Sequence, residues 1–274
     1  MDLLQAVVLG LVQGLTEFLP ISSSGHLRIV PALAGWEDPG AAFTAVIQLG
    51  TMAAVVLYFR ADLLRIARSW LASLRDRGRR SQLDARVGWY ILLGTLPIAI
   101  LGLAFKDPIE NGARDLELIA GTLIVFALVL LAAERAGRRA RGLDTLDRRD
   151  GVVIGCAQAL ALVPGVSRSG ATISAGLFLG LDRVAAARFS FLLSVPAVVL
   201  SGLFELKDVI GGTAEGAAGV GQTAVATVLA FVSGYASIAF LLRFLTTHST
   251  ALFVVYRLAL GVAVLVLVAT GAIT

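Results

Sequence analysis

The chain has 274 residues, 57% of them hydrophobic and 15% charged, with a mean hydropathy of +0.86. A soluble globular domain carries about 25% charged residues, so this composition indicates an integral membrane protein and leaves no length for a sizeable soluble domain. The net charge of +4 is not read as a nucleic-acid signature, because the arginines are confined to short segments between apolar runs, and the single cysteine, Cys156, excludes an intramolecular disulfide.

The opening stretch MDLLQAVVLG carries Asp2 and no basic residue, which argues against a cleaved signal peptide. Residues 1–40 are apolar but broken by QGLTEFLPISSSGH, residues 13 to 26. Gln13 and Glu17 are four apart and share one helix face. Pro20 disfavours helix at Leu19, so a helix is expected to end there. Glu17 then lies in the last turn, where the helix dipole is unfavourable for a carboxylate. An ionisable side chain at membrane depth is costly and marks a functional candidate; the alternative is a solvated carboxylate at the interface. Ser22, Ser23 and Ser24 can cap a following helix, and His26 in isolation reads as a hydrogen-bonded interior histidine. Taken together, Glu17, a serine and His26 supply a base, a nucleophile and a proton carrier within ten residues.

Six apolar runs follow, at about 41–59, 89–105, 118–133, 187–204, 223–242 and 251–272. Segment 60–88 between the first two holds eight arginines and segment 134–150 holds six, whereas 106–117 has only Lys106 and Arg114 and 205–222 only Lys207. The positive-inside rule puts the arginine-rich segments in the cytoplasm and both termini outside. Residues 1–40 and 151–186 must then each return to the face they start from. Both are predicted to be re-entrant helical hairpins, whose broken backbone is tolerated only where it lines a protein cavity.

The second of these contains PGVSRSGAT, residues 164 to 172. Pro164 and Gly165 break the helix, and Ser169 or Thr172 is expected to restart it. Arg168, between Ser167 and Ser169, is the one cation from Gly151 to Leu181. Backbone N–H groups at a helix start bind anions, and a guanidinium grips an oxyanion such as phosphate in two-point contact. An ion pair from Arg168 to Glu17 is the structural alternative, and both can hold together.

A shift of 145 residues lays GLVQGLTEFLPISSSG (10–25) over GCAQALALVPGVSRSG (155–170) without a gap. Gly10 meets Gly155, Gln13 meets Gln158, Ser22 meets Ser167 and Ser24 meets Ser169. The expected fold is therefore an all-α polytopic membrane protein, a single integral domain over 1–274. Repeat one spans about 1–133 and repeat two about 151–272, each one broken hairpin plus three spans. Three is odd, so the repeats insert in opposite senses, with the site near the midplane where the hairpins meet.

At these residues the chain resembles the undecaprenyl-diphosphate phosphatases, also called bacitracin-resistance proteins. The family pattern of Glu or Gln, three residues, then Glu is matched by Gln13 and Glu17. Its Pro-x-Ser-Ser-Ser/Thr-Gly-His run is matched by Pro20 to His26, and its Pro-Gly-x-Ser-Arg-Ser-x-x-Thr motif by Pro164 to Thr172. The resemblance covers the whole chain. It implies hydrolysis of a polyprenyl diphosphate, undecaprenyl diphosphate, to the monophosphate and inorganic phosphate. It also implies a bacterial cytoplasmic (inner) membrane location and dependence on a divalent cation, Mg²⁺ or Ca²⁺, with Glu17 as a ligand. Gln13 stands where Glu also occurs, so a metal site would have one carboxylate fewer. By carry-over Glu17, Ser23, His26 and Arg168 are catalytic. Gln13, Ser22, Ser24, Gly165, Ser167, Ser169 and Thr172 surround the diphosphate. Ser23 is the favoured nucleophile, with attack by His26 or by a metal-bound water left open.

A secondary transporter or flippase for an anionic lipid or phosphate compound is the competing expectation, since broken helices in inverted repeats are common in transporters. An acid phosphatase of the Lys-x6-Arg-Pro type is excluded, because neither Lys106 nor Lys207 begins that motif, and no Gly-Lys-Ser/Thr P-loop appears.

Overall fold

The computed structural model of the chain describes residues 1–105, 115–210 and 219–273. Lys106, Arg114 and Glu215 lie outside the described residues, as do most of segment 106–117 and the middle of segment 205–222, whereas Lys207 falls within a described helix. Within the described residues the fold is all-helical, with only an isolated bridge between Arg141 and Leu181. In chain order the helices are α1 (Leu3–Glu17), α2 (Ser23–Ala34), α3 (Gly40–Tyr58), α4 (Arg60–Arg75), α5 (Leu83–Ala104) and α6 (Leu116–Ala136). They continue with α7 (Arg148–Ala159), α8 (Arg168–Phe178), α9 (Arg183–Ile210), α10 (Val220–Phe244) and α11 (Ala251–Ala269).

By length and composition α5, α6, α10 and α11 can each cross a membrane, and the apolar α3 is joined to α4 through a 77° bend. The predicted run 187–204 lies inside α9. The long helices leave large apolar side chains outward, among them Leu103 (72% exposed), Val255 (64%) and Val228 (60%). In water such a surface would aggregate; against lipid it is the expected exterior. The protein is a polytopic membrane protein.

The arginine-rich segment 60–88 is not the plain loop its charge implied. Residues 60–75 form α4, which puts Leu63, Ile66, Trp70 and Ser73 at helical spacing on its inner face, with Trp70 edge-on to Trp89 of α5. The charges on the outer face hide that period in the sequence.

Small residues let the broken hairpins pack deep between long helices. A Cβ on Gly14 of α1 would lie 2.0 Å from Ser233 Oγ of α10, and one on Gly155 of α7 would lie 2.3 Å from the Gly94 Cα of α5. Without a hydrophobic driving force between helices in lipid, this close backbone approach supplies the packing. The partners follow the sequence repeat: α1 packs on α10 and its counterpart α7 on α5, while α3 meets α9 and α6 meets α11. Both repeats open with a capping box, Asp2 with Gln5 and Asp147 with Asp150. Two features differ from expectation. Helix α1 ends at Glu17 rather than Leu19, because the turn that precedes Pro20 already starts at Phe18. Helix α8 starts at Arg168, not at Ser169 or Thr172, because Ser167 takes the cap.

Candidate active site

Each broken hairpin turns back at a serine in a conformation that L-residues avoid: Ser22 at φ 75°, ψ 97° and Ser167 at φ 72°, ψ 113°. Such a backbone costs on the order of 1–3 kcal/mol and persists only where its surroundings hold it, commonly at functional sites. In both, the serine hydroxyl accepts the N–H of a glycine three residues on, Gly25 at 3.3 Å and Gly170 at 3.1 Å. In both, it also lies 3.2 Å from the hydroxyl two residues on, Ser24 or Ser169. The 145-residue repeat is thus repeated in backbone as well as in letters.

Four contacts join the two hairpins. Arg168 donates to Glu17 Oε1. Ser169 Oγ donates to the Leu19 carbonyl at 2.9 Å, and Gly165 N points to Ser24 Oγ at 3.5 Å. The fourth is Arg257 of α11, fully buried. Its guanidinium donates to the carbonyls of Pro20 (3.2 Å) on one hairpin and of Gly165 and Val166 (3.0 Å each) on the other, and its Nε donates to the Leu123 carbonyl of α6 (3.2 Å). A charge away from water is tolerable only with such partners.

Glu17 is the hub. Its Oε2 accepts from Gln13 Nε2 at 3.0 Å and from Ser23 Oγ at 2.6 Å; its Oε1 accepts from Gln48 Nε2 at 3.2 Å and from Arg168. The Glu17 side chain is 4% exposed and that of Arg168 15%, so the carboxylate is enclosed while the guanidinium keeps an open edge. A hydroxyl in hydrogen-bond contact with a carboxylate is the relation between a nucleophile and its base. The Gln13 Oε1 is buried and has no hydrogen-bond partner.

His26 bonds to neither Ser23 nor Glu17. Its Nδ1 lies 2.7 Å from the Ser22 carbonyl, an acceptor only, so Nδ1 carries a proton, and Nε2 is hydrogen-bonded with Tyr256 OH at 2.6 Å. The imidazole holds the strained Ser22 from behind. Thr172 is fully buried, donates to the Arg168 carbonyl at 2.7 Å and meets Ser190 Oγ of α9 at 2.6 Å, which fixes the turn that carries Arg168.

The sequence-predicted residues therefore separate into Gln13, Ser23 and Arg168 around Glu17, a double loop of Ser22, Ser24, Gly165, Ser167 and Ser169 beside them, and His26 and Thr172 one layer further out. Three participants were not anticipated: Gln48, Tyr256 and Arg257. Arg257 carried a usable signal, since it is a lone cation inside the apolar run 251–272 and the rule that singled out Arg168 applies to it equally. Gln48 and Tyr256 carried none.

The model of a family described as bacitracin resistance protein BacA matches residues 6–263. An undecaprenyl-diphosphatase of a Nocardioides species is 59% identical over 99% of this chain and 98% of its own length. Undecaprenyl-diphosphatase 3 of Frankia alni is 57% identical over 100% of this chain and 97% of its own length. An undecaprenyl-diphosphatase of a Mycobacterium species (strain KMS) is 57% identical over 100% of this chain and 99% of its own length.

Proposed function

The chain belongs to the family of the bacitracin resistance protein BacA, and from that premise we propose how its own residues carry out the reaction. It hydrolyses undecaprenyl diphosphate to undecaprenyl phosphate and inorganic phosphate, recycling the lipid carrier for cell-wall synthesis.

The observation that carries the mechanism is the Ser23 hydroxyl donating to a carboxylate that is also held by Arg168. In the free enzyme the guanidinium and three other donors occupy Glu17, which blunts it as a base. A bound diphosphate offers Arg168 a stronger, doubly contacted partner. As Arg168 turns to the phosphate oxygens, Glu17 is left free to take the Ser23 proton. Ser23 Oγ then attacks the terminal phosphorus, and the bond from that phosphorus to the bridging oxygen breaks. Undecaprenyl phosphate leaves with the bridging oxygen. The departing undecaprenyl phosphate takes the proton from Glu17, which then deprotonates the water that cleaves the phosphoserine; inorganic phosphate is released and the proton from that water returns to Ser23 Oγ. The open N–H groups at the starts of α2 and α8 stabilise the charge that develops. His26 acts by holding the Ser22 turn, not as the base, which agrees with its bonds to Ser22 and Tyr256.

A divalent cation fits this arrangement. Among the described residues no three His, Cys, Asp or Glu side chains converge. Hard cations take oxygen ligands, and Mg²⁺ is commonly held by one or two carboxylates plus substrate phosphates. Glu17 and the unpaired Oε1 of Gln13 are such donors. Gln158, its counterpart in the second repeat, has the same unpaired oxygen but no carboxylate bonded to it. The ion would supply charge neutralisation at the diphosphate.

The test is phosphate release from undecaprenyl diphosphate by pure protein in detergent, which abolishes any gradient and so separates hydrolysis from transport. Ser23→Ala is expected to lose nearly all turnover. Ser24→Ala should lose far less, since a single hydroxyl contact is worth about 0.5–2 kcal/mol. Equal, mild losses at both would move the nucleophile to His26 or to water.

The reading places the protein in the bacterial cytoplasmic membrane, with both termini outside and the two repeats inserted in opposite senses around the paired hairpins. The arginine bias and the matched Ser22 and Ser167 turns support it. In a Cys156→Ser background, Arg77→Cys should react with an impermeant thiol reagent only from the cytoplasmic side and Glu215→Cys only from the other. Reaction of both from one side sinks the topology.

A further inference from the structure

Helix α4 turns 77° away from α3 at Phe59 and so runs across the direction of the span. Its inner face is packed on α5, and its outer face mixes arginines with a row of leucines: Leu64, Leu71 and Leu74 are 56%, 54% and 45% exposed. Leu64 and Leu71 are seven apart and share that face, with Leu74 one turn on. Arg68 and Arg75, also seven apart, are exposed and run alongside the leucines. An apolar stripe flanked by arginines on a helix lying across a span is the pattern of a helix set in the headgroup layer of a bilayer.

Beside the arginines, α4 and the short 3₁₀ turn Arg77–Ser81 border an open groove of about 580 Å³. It is lined by Arg65, Arg68 and Arg79, with Ser69 and Gln82 as further polar groups and Asp84 as its one acid. The segment 60–88 around it holds eight arginines against three acids, Asp62, Asp76 and Asp84. Asp84 is bound to Arg65 at 2.9 Å, and Arg79 pairs with Asp76 at 3.3 Å, whereas Arg68 has no hydrogen bond or ion pair among the described residues. Ala61, Leu64 and Ala72 complete the wall, and Leu64 belongs both to the groove and to the leucine row.

We propose that this groove is a binding site for the headgroup of an anionic glycerophospholipid, with the phosphodiester on Arg68 and Arg79 and the acyl chains against the stripe of Leu64, Leu71 and Leu74. Charge complementarity selects an anion, and continuity of the groove with an exposed apolar stripe selects a lipid over a soluble phosphate. The site is separate from Glu17 and Arg168, and it stands whether or not the proposed catalytic steps are correct.

Full-length protein in nanodiscs of equal phosphatidylcholine and phosphatidylglycerol, released and weighed by native mass spectrometry, tests this. Wild type should retain phosphatidylglycerol over phosphatidylcholine, and R68Q/R79Q should lower that retention by roughly fivefold for each arginine removed, with an unchanged melting temperature. R68K/R79K, which keeps both charges, should retain the lipid. Soluble glycerol phosphate in excess should not displace it. Equal retention of the two lipids by wild type, unaltered retention in R68Q/R79Q, displacement by glycerol phosphate, or a second copy of the chain held in place of lipid would each overturn the assignment.

Discussion

Arg168→Lys is expected to lose at least about 100-fold in the rate of phosphate release while the protein still inserts and purifies. The size follows from what one preorganised donor to a developing oxyanion is worth, about 10²–10³ in rate. Lysine keeps the positive charge, so Glu17 retains a cationic neighbour and the two hairpins stay joined through Ser169, Ser24 and Arg257. What lysine lacks is the planar fork that grips two phosphate oxygens at once and, in this mechanism, draws the guanidinium off Glu17. The variant therefore separates the charge of residue 168 from its geometry. Near-normal turnover would leave Arg168 as a tie between the hairpins and nothing more. A melting temperature close to wild type alongside the lost rate is the result the mechanism requires.

Glu17→Gln should lower the rate by at least the roughly 10² that accompanies loss of a general base. Glu17 accepts four hydrogen bonds, from Gln13, Ser23, Gln48 and Arg168. An amide keeps the shape, but its NH₂ end turns a donor toward two of these donors. Ser23 loses its proton acceptor, and Arg168 faces a site with no countercharge. Adding divalent cation separates the two roles assigned to the carboxylate. Partial recovery with rising Mg²⁺ or Ca²⁺ identifies Glu17 as a ligand; a flat response identifies it as the base alone. An unchanged rate with unchanged metal dependence would remove Glu17 from the mechanism and return it to the class of interfacial carboxylates.

Hydropathy and charge placement were enough to read a polytopic helical membrane protein, because each is a local property of a short window of chain. The two broken hairpins were equally legible. Proline, glycine and serine act on the backbone within a residue or two of themselves, and the 145-residue repeat shows the same punctuation twice. The pairing of Arg168 with Glu17 across QGLTEFLPISSSGH and PGVSRSGAT could be anticipated from charge alone, since the two are isolated opposite charges in an apolar setting. Partner choice across long stretches of chain was not legible. Gln48 and Tyr256 look like any polar residue on a membrane helix until packing brings them to Glu17 and His26. Thr172 has the spacing of a phosphate ligand, yet its hydroxyl is taken by the Arg168 carbonyl and Ser190, because α9 packs against α8 there. The amphipathic face of α4 was masked by its arginines and became visible only once α5 covered one side of it. Arg257 makes the difference plain. Its type and setting marked it as costly, but its purpose, gathering the carbonyls of Pro20, Gly165, Val166 and Leu123 into one turn of structure, depends on three segments meeting. Hydrogen-bond geometry of that kind is a property of the packed helices and has no trace in the spacing of residues along the chain.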